Sequence, residues 1–169
     1  MNKPSETVWP LHIKVIHWLI ALIVVSNIYI FDDGDLPHEI LGYISAGLVL
    51  IRFYFGFMAR DHVGFSRFNL SLNELKIFFK QYFKKHNPVD YIGHNPAASL
   101  VYFTMWFLLI ALGVSGWMMG LDYFWGNETL ENIHHYFSNG LEVLVIIHLI
   151  GITIDAIVFK RKTWMSMIK

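Results

Sequence analysis

At 169 residues, with 55% hydrophobic side chains and a mean hydropathy of +0.45, the chain is one domain long and carries more apolar surface than a soluble core of that size can hide. With no cysteine, disulfides, thiolate-held iron-sulfur clusters, zinc ribbons and the covalent attachment of a c-type haem are all excluded. The formal net charge is zero, nothing points to nucleic acid, and the information lies in how the charges are sorted along the chain.

The opening MNKPSETVWP lacks a short apolar core followed by a small-residue cleavage site, so no removable signal peptide is expected. Four apolar stretches, Ile13 to Phe31, His38 to Met58, Ala97 to Met119 and Ile133 to Phe159, are each long enough to cross the roughly 30 Å hydrocarbon layer as a helix. Between the first two, FDDGDLP combines helix breakers and turn formers, which makes those helices antiparallel neighbours. The longer connection from Arg60 to His94 contains SLNELKIFFKQYFKKH, in which Ser71 and Glu74 have capping-box spacing. Its Leu72, Leu75, Phe78, Phe79, Tyr82 and Phe83 can enter the acyl boundary while Lys76, Lys80, Lys84 and Lys85 reach lipid phosphates. Asn95 and Pro96 then supply an N-cap and a helix-compatible proline for the third span. The expected fold is an all-α membrane protein, a single domain over residues 1–169 formed by a four-transmembrane-helix bundle with an amphipathic interfacial helix between helices 2 and 3.

Lysine and arginine are confined to the N-terminal end, the end of helix 2, the long connection and the C-terminal tail. The two short loops instead carry Asp32, Asp33, Asp35, Glu39, Asp122, Glu128 and Glu131. Because cytoplasmic loops collect basic residues, both termini are expected in the cytoplasm and the acidic loops in the periplasm of a bacterial inner membrane.

Nine histidines in so apolar a chain call for a function, since ionisable groups at membrane depth are costly. In helix 4, His134 and His148 are fourteen residues apart, about 21 Å of rise and about 40° short of whole turns, so they share one face at two depths. His135 is rotated by roughly 100° from His134 and leaves that stripe. His38 opens helix 2 at the level of His134, and His17 lies about 21 Å inward of the acidic loop, at the level of His148. The expected pairs are therefore His38 with His134 and His17 with His148. Two imidazoles closing both axial positions of an iron suit reversible one-electron transfer, so these four residues are the candidate axial ligands of two non-covalent b-type haems.

Arg52, fourteen residues after His38, falls on nearly the same face of helix 2 at the depth of the inner pair, where a haem propionate is a suitable bidentate partner. Lys14, one turn before His17, can serve similarly or snorkel to headgroups. Gly42, Ala46, Gly113, Gly116, Ser138 and Gly151 would admit either a macrocycle or a close helix neighbour. Glu142, off the histidine stripe, is read as a buried hydrogen-bonding group, with a proton route as the lesser reading. His12, His62 and His86 are assigned to solvent or headgroups, and His94 to the cytoplasmic start of helix 3, near a propionate or a quinone.

The chain resembles the prokaryotic cytochrome b561 family, which includes the b-type subunits of nickel-iron hydrogenases. The resemblance rests on IHW at His17, HEILGY opening helix 2 with Arg52 near its end, GHNP before helix 3, and the spacing of His134 and His148. It implies a four-helix bundle with two b haems, each held by a helix-4 histidine and one from helix 1 or helix 2. It also implies electron exchange with ubiquinone or menaquinone. The other redox partner would be a periplasmic c-type cytochrome, a dehydrogenase or hydrogenase, or superoxide acted on by the chain alone. The acidic outer loops favour a protein with a basic docking face over an anion. Two readings of other classes compete: a metal or proton transport subunit using the membrane histidines, and an anchor whose haems only stabilise the bundle.

Overall fold

The computed structural model describes residues 9–60, 63–83, 95–158, 160 and 163–168. His62, His86, His94, Lys84 and Lys85 lie outside the described residues. Among the described residues five α-helices follow in chain order: α1 (Leu11–Tyr29), α2 (Leu36–Met58), α3 (Leu72–Phe83), α4 (Pro96–Met119) and α5 (Glu128–Ile157). Four of them, α1, α2, α4 and α5, are long and apolar enough to cross a membrane, and the chain is a multi-pass membrane protein.

Local chemistry sets the helix boundaries. The turn from α1 into α2 runs through Gly34 at φ +86°, a left-handed conformation that glycine adopts without a side-chain penalty. Asn95 caps α4 by accepting the Ala98 amide at 2.7 Å, with Pro96 in the first turn. Asn127 does the same for α5, accepting the Leu130 amide at 3.0 Å. That cap starts α5 at Glu128, five residues ahead of the expected span. Glu128 and Glu131 thus belong to its first turn, where negative charge complements the free amides. The expected capping box of α3 forms by half: Ser71 Oγ accepts the Glu74 amide at 3.5 Å, while the Ser71 amide goes to Asn69 Oδ1 rather than to Glu74.

The core is thin. Val24, Val49, Leu109 and Leu141 form its buried centre, one residue from each spanning helix. Large apolar side chains such as Leu22, Phe107 and Leu149 are exposed around it, as expected where lipid is the solvent. α2 packs on α1 and α4, and α4 packs on α5; α3 leans on α4 through a face that buries Phe78. α2 and α4 approach closely at Gly113, where an added methyl would sit 2.7 Å from Ala46 Cβ. This pair of small residues serves helix packing. Gly113→Ala is expected to force α2 and α4 apart at a cost of about 1–3 kcal/mol, the usual range for overpacking. An unaltered thermal midpoint of the detergent-solubilised protein would refute this.

Candidate haem-binding site

The bundle has an acidic end, bearing the two short loops, and a basic end. Near the acidic end, the third residue of α2, His38, faces His134 of α5, with ring centroids 6.4 Å apart and planes inclined by 53°. Toward the basic end, His17 of α1 faces His148 of α5 at the same centroid distance of 6.4 Å, with planes inclined by 60°. The pairs expected from sequence are thus the pairs brought together. Metal-imidazole bonds of about 2.0–2.1 Å, plus about 1.1 Å from ring nitrogen to ring centre, put two coaxial axial imidazoles about 6.3 Å apart centre to centre. Both pairs have the spacing of a single bridging metal, and rotation of each ring about its bond leaves the interplanar angle free. Imidazoles in direct hydrogen bond would lie closer.

Beside the pair at the acidic end runs a crevice with a cavity volume of about 70 Å³. His38, His134, Gly42, Gly113, Gly116 and Ser138 are among its lining residues, so the small side chains singled out in sequence open space beside the imidazoles. Gly116 lies against His134, whose Cε1 would be 3.6 Å from an added methyl. His17 and His38 each keep Nδ1 buried with no hydrogen-bond partner. Among the described residues no three His, Cys, Asp or Glu side chains gather into one cluster, so the histidines act as two separate pairs.

Ser115, which the sequence reading passed over, sets the orientation of His134. Its Oγ lies 3.2 Å from the Leu112 carbonyl and 2.8 Å from His134 Nδ1. A hydroxyl has one proton to give. Donated to Leu112, it leaves Oγ to accept from Nδ1-H, and the lone pair of His134 is then on Nε2, available to a metal. With His134 as a haem ligand, Ser115→Ala would weaken retention of that haem by about 10- to 100-fold, the usual effect of losing a metal ligand's hydrogen-bond partner. Haem loss to apomyoglobin measures it, and a wild-type rate would remove Ser115 from the site.

His135 points away: it is 58% exposed, with Nδ1 3.9 Å from Asp33 Oδ2. His12 lies against Phe55, with ring centroids 4.6 Å apart and planes inclined by 46°. The pair at the basic end is flanked by Trp18 at 5.3 Å from His17 and by Tyr102 at 5.6 Å from His148. Asp155, within electrostatic reach of Tyr82 and Tyr102, also went unnoticed in sequence. Its position seven residues after His148, about 20° off the same face, was the available signal.

Arg52 is 5% exposed. Its Nη2 donates to the Val63 carbonyl at 3.1 Å, and its guanidinium carbon lies 5.2 Å from the Trp106 ring centre, 5.4 Å from Phe65 and 5.9 Å from Phe68. Nη1 is buried without a hydrogen-bond partner. An aromatic cage and one carbonyl stabilise the cation only in part, and one donor remains for an anion. Lys14 sits partly exposed in the first turn of α1. Glu142 is half-buried and accepts a hydrogen bond from the Tyr29 hydroxyl at 2.7 Å, across the seam between α5 and α1.

A curated relative, the "Probable Ni/Fe-hydrogenase B-type cytochrome subunit" of Rhodobacter capsulatus, is 25% identical over 219 residues, an alignment covering 99% of this chain and 81% of the relative. No solved structure matches the chain. The family model described as prokaryotic cytochrome b561 matches residues 8–169. With four spans and that match over nearly its whole length, the chain belongs to the prokaryotic cytochrome b561 family and is a membrane b-type cytochrome of electron transfer.

Proposed function

We propose that this cytochrome holds two b haems, one per histidine pair, and passes electrons between the membrane quinone pool and a redox protein docked at its acidic end. The observation that carries this reading is the common 6.4 Å spacing of the two pairs, one near each end of the bundle. Bis-histidine iron supplies reversible one-electron chemistry with no open coordination position. Two such centres give a relay between a lipid-side and a water-side reactant. His17 and His148 would hold the haem toward the basic end, and His38 and His134 the other. Arg52, through its free Nη1, and Lys14 are the donors suited to propionates near the basic end.

The acidic end is assigned to the periplasm of a bacterial inner membrane and both termini to the cytoplasm, from the segregation of lysine and arginine. There, the carboxylates would draw a partner with a basic face and repel superoxide, which favours a hydrogenase, another dehydrogenase or a c-type cytochrome. The name of the Rhodobacter capsulatus relative supports a hydrogenase among these. The purified chain is expected to show a low-spin b-type reduced-minus-oxidised spectrum, two haems per chain by pyridine haemochrome, and reduction by a hydroquinone. No Soret band, or haems that no hydroquinone reduces, would overturn the proposal. A reporter fused after Lys169 should read cytoplasmic and one inserted near Asp33 periplasmic; the opposite result would invert the two faces.

A further inference from the structure

Among the described residues Glu142 has no cation to answer it. The sequence holds no lysine or arginine between Lys14 and Arg52 or between Lys85 and Lys160, so the acidic half of the bundle contains none. The carboxyl sits within a membrane span, eight residues after His134 and six before His148, about 12 and 9 Å along the helix axis. It lies between the two histidine levels. Among the described residues its one hydrogen-bond partner is Tyr29, which donates to Oε1 at 2.7 Å and leaves Oε2 free to accept.

The position is open to lipid. Tyr29 is 67% exposed at the last turn of α1, and Val143, Ile146 and Ile147 beside Glu142 on α5 are exposed apolar side chains. A carboxyl in that setting is costly unless it binds something or moves a proton. The seam it bridges lies between the helices that carry His17, His134 and His148, and α1 and α5 are not packed closely along it. A molecule arriving there must dissolve in the bilayer, bring a hydroxyl donor for Oε2, and have a use for a base beside the electron acceptors.

We infer that the Tyr29-Glu142 pair is the headgroup site of a membrane-dissolved hydroquinone and that Glu142 is its proton acceptor. This rests on the quinone reading above and adds the place and the base. The hydroquinone O-H donates to Glu142 Oε2, while the Tyr29 hydroxyl holds Oε1 and fixes the carboxylate. Oxidation breaks two O-H bonds and releases two electrons, which pass to the two ferric haems and leave both ferrous. The two protons go one after the other to the Glu142 carboxylate, and each is released to water at the acidic end, where α1 ends at Tyr29.

The test uses the haem-loaded protein in lipid nanodiscs, with duroquinol as a donor of electrons and protons and reduced methyl viologen as a one-electron donor that carries no proton. Glu142→Gln is expected to slow reduction by duroquinol at least tenfold, with haem spectra and the viologen rate unchanged. Glu142→Asp should restore part of the duroquinol rate, and Tyr29→Phe should raise the duroquinol concentration needed for half-maximal rate several-fold. As a readout independent of turnover, a photoreactive azidoquinone should label the peptides containing Tyr29 or Glu142 in the wild type and not in Glu142→Gln. Equal slowing with both donors would make the pair a helix latch and overturn the inference, as would a wild-type duroquinol rate in Glu142→Gln. Wild-type protein that duroquinol cannot reduce would sink the quinone reading itself and the site with it.

Discussion

Replacing His17 by alanine is expected to lower the haem content from two to one per chain, and replacing His38 to do the same while sparing the other haem. Each ring belongs to one pair only, and the two members of a pair come from different helices. Loss of one ring leaves an unfilled axial position and a macrocycle held from one side. The remaining pair, about 21 Å away along α5, keeps both of its rings. His134→Ala should lose the acidic-end haem, whereas His135→Ala should keep both, because the His135 side chain is directed out of the bundle toward Asp33. Pyridine haemochrome counts and low-spin spectra of the four variants decide this. Retention of both haems in His17→Ala or His38→Ala would break the pairing, and haem loss in His135→Ala would transfer the ligand assignment.

Arg52→Leu should lower the midpoint potential of the haem at the basic end and leave the other nearly unmoved. The oxidised haem carries one positive charge more than the reduced one. Removing a cation from beside it leaves propionate charge uncompensated, which favours the oxidised form and makes reduction harder. In a one-electron couple, about 59 mV corresponds to a tenfold change in equilibrium. A fall of that order is expected, since Arg52 is buried where screening is weak. The cage of Phe65, Phe68 and Trp106 gives the variant an apolar setting that accepts leucine, so a potential shift can be read without wholesale unfolding. A redox titration resolving two components measures it. Unchanged potentials with full occupancy would mean that the cage and the Val63 carbonyl are all that Arg52 serves.

The spans and the histidine pairs were legible because both follow from helix periodicity. Twenty apolar residues have one reading in a membrane, and a fourteen-residue offset returns a side chain to nearly its own face whatever the rest of the fold does. What escaped depends on contacts between elements. Ser115 orients His134 only because α4 is rotated to bring it there, and nothing in VSGW announces that rotation. The cage around Arg52 draws on Phe65 and Phe68 from a connection without periodicity, folded back against α2 and α4. Phe65 is seated over Gly56, where an added methyl would meet its ring. Glu142 was visible as an oddity, but its partner sits on a helix more than a hundred residues away in sequence. The early start of α5 was the one boundary that local chemistry could have supplied, through Asn127 followed by Glu128 and Glu131.

One ring of each pair stands on α5, which leaves the ribosome after α1, α2 and α4. Chains grow from the N-terminus, so α1 and α2 enter the bilayer carrying His17 and His38 while their counterparts are still unmade. A half-synthesised chain can grip neither macrocycle from both sides. On the proposed ligand assignment, loading would therefore be a late, post-insertion event, and a chain truncated before α5 would forfeit both cofactors together.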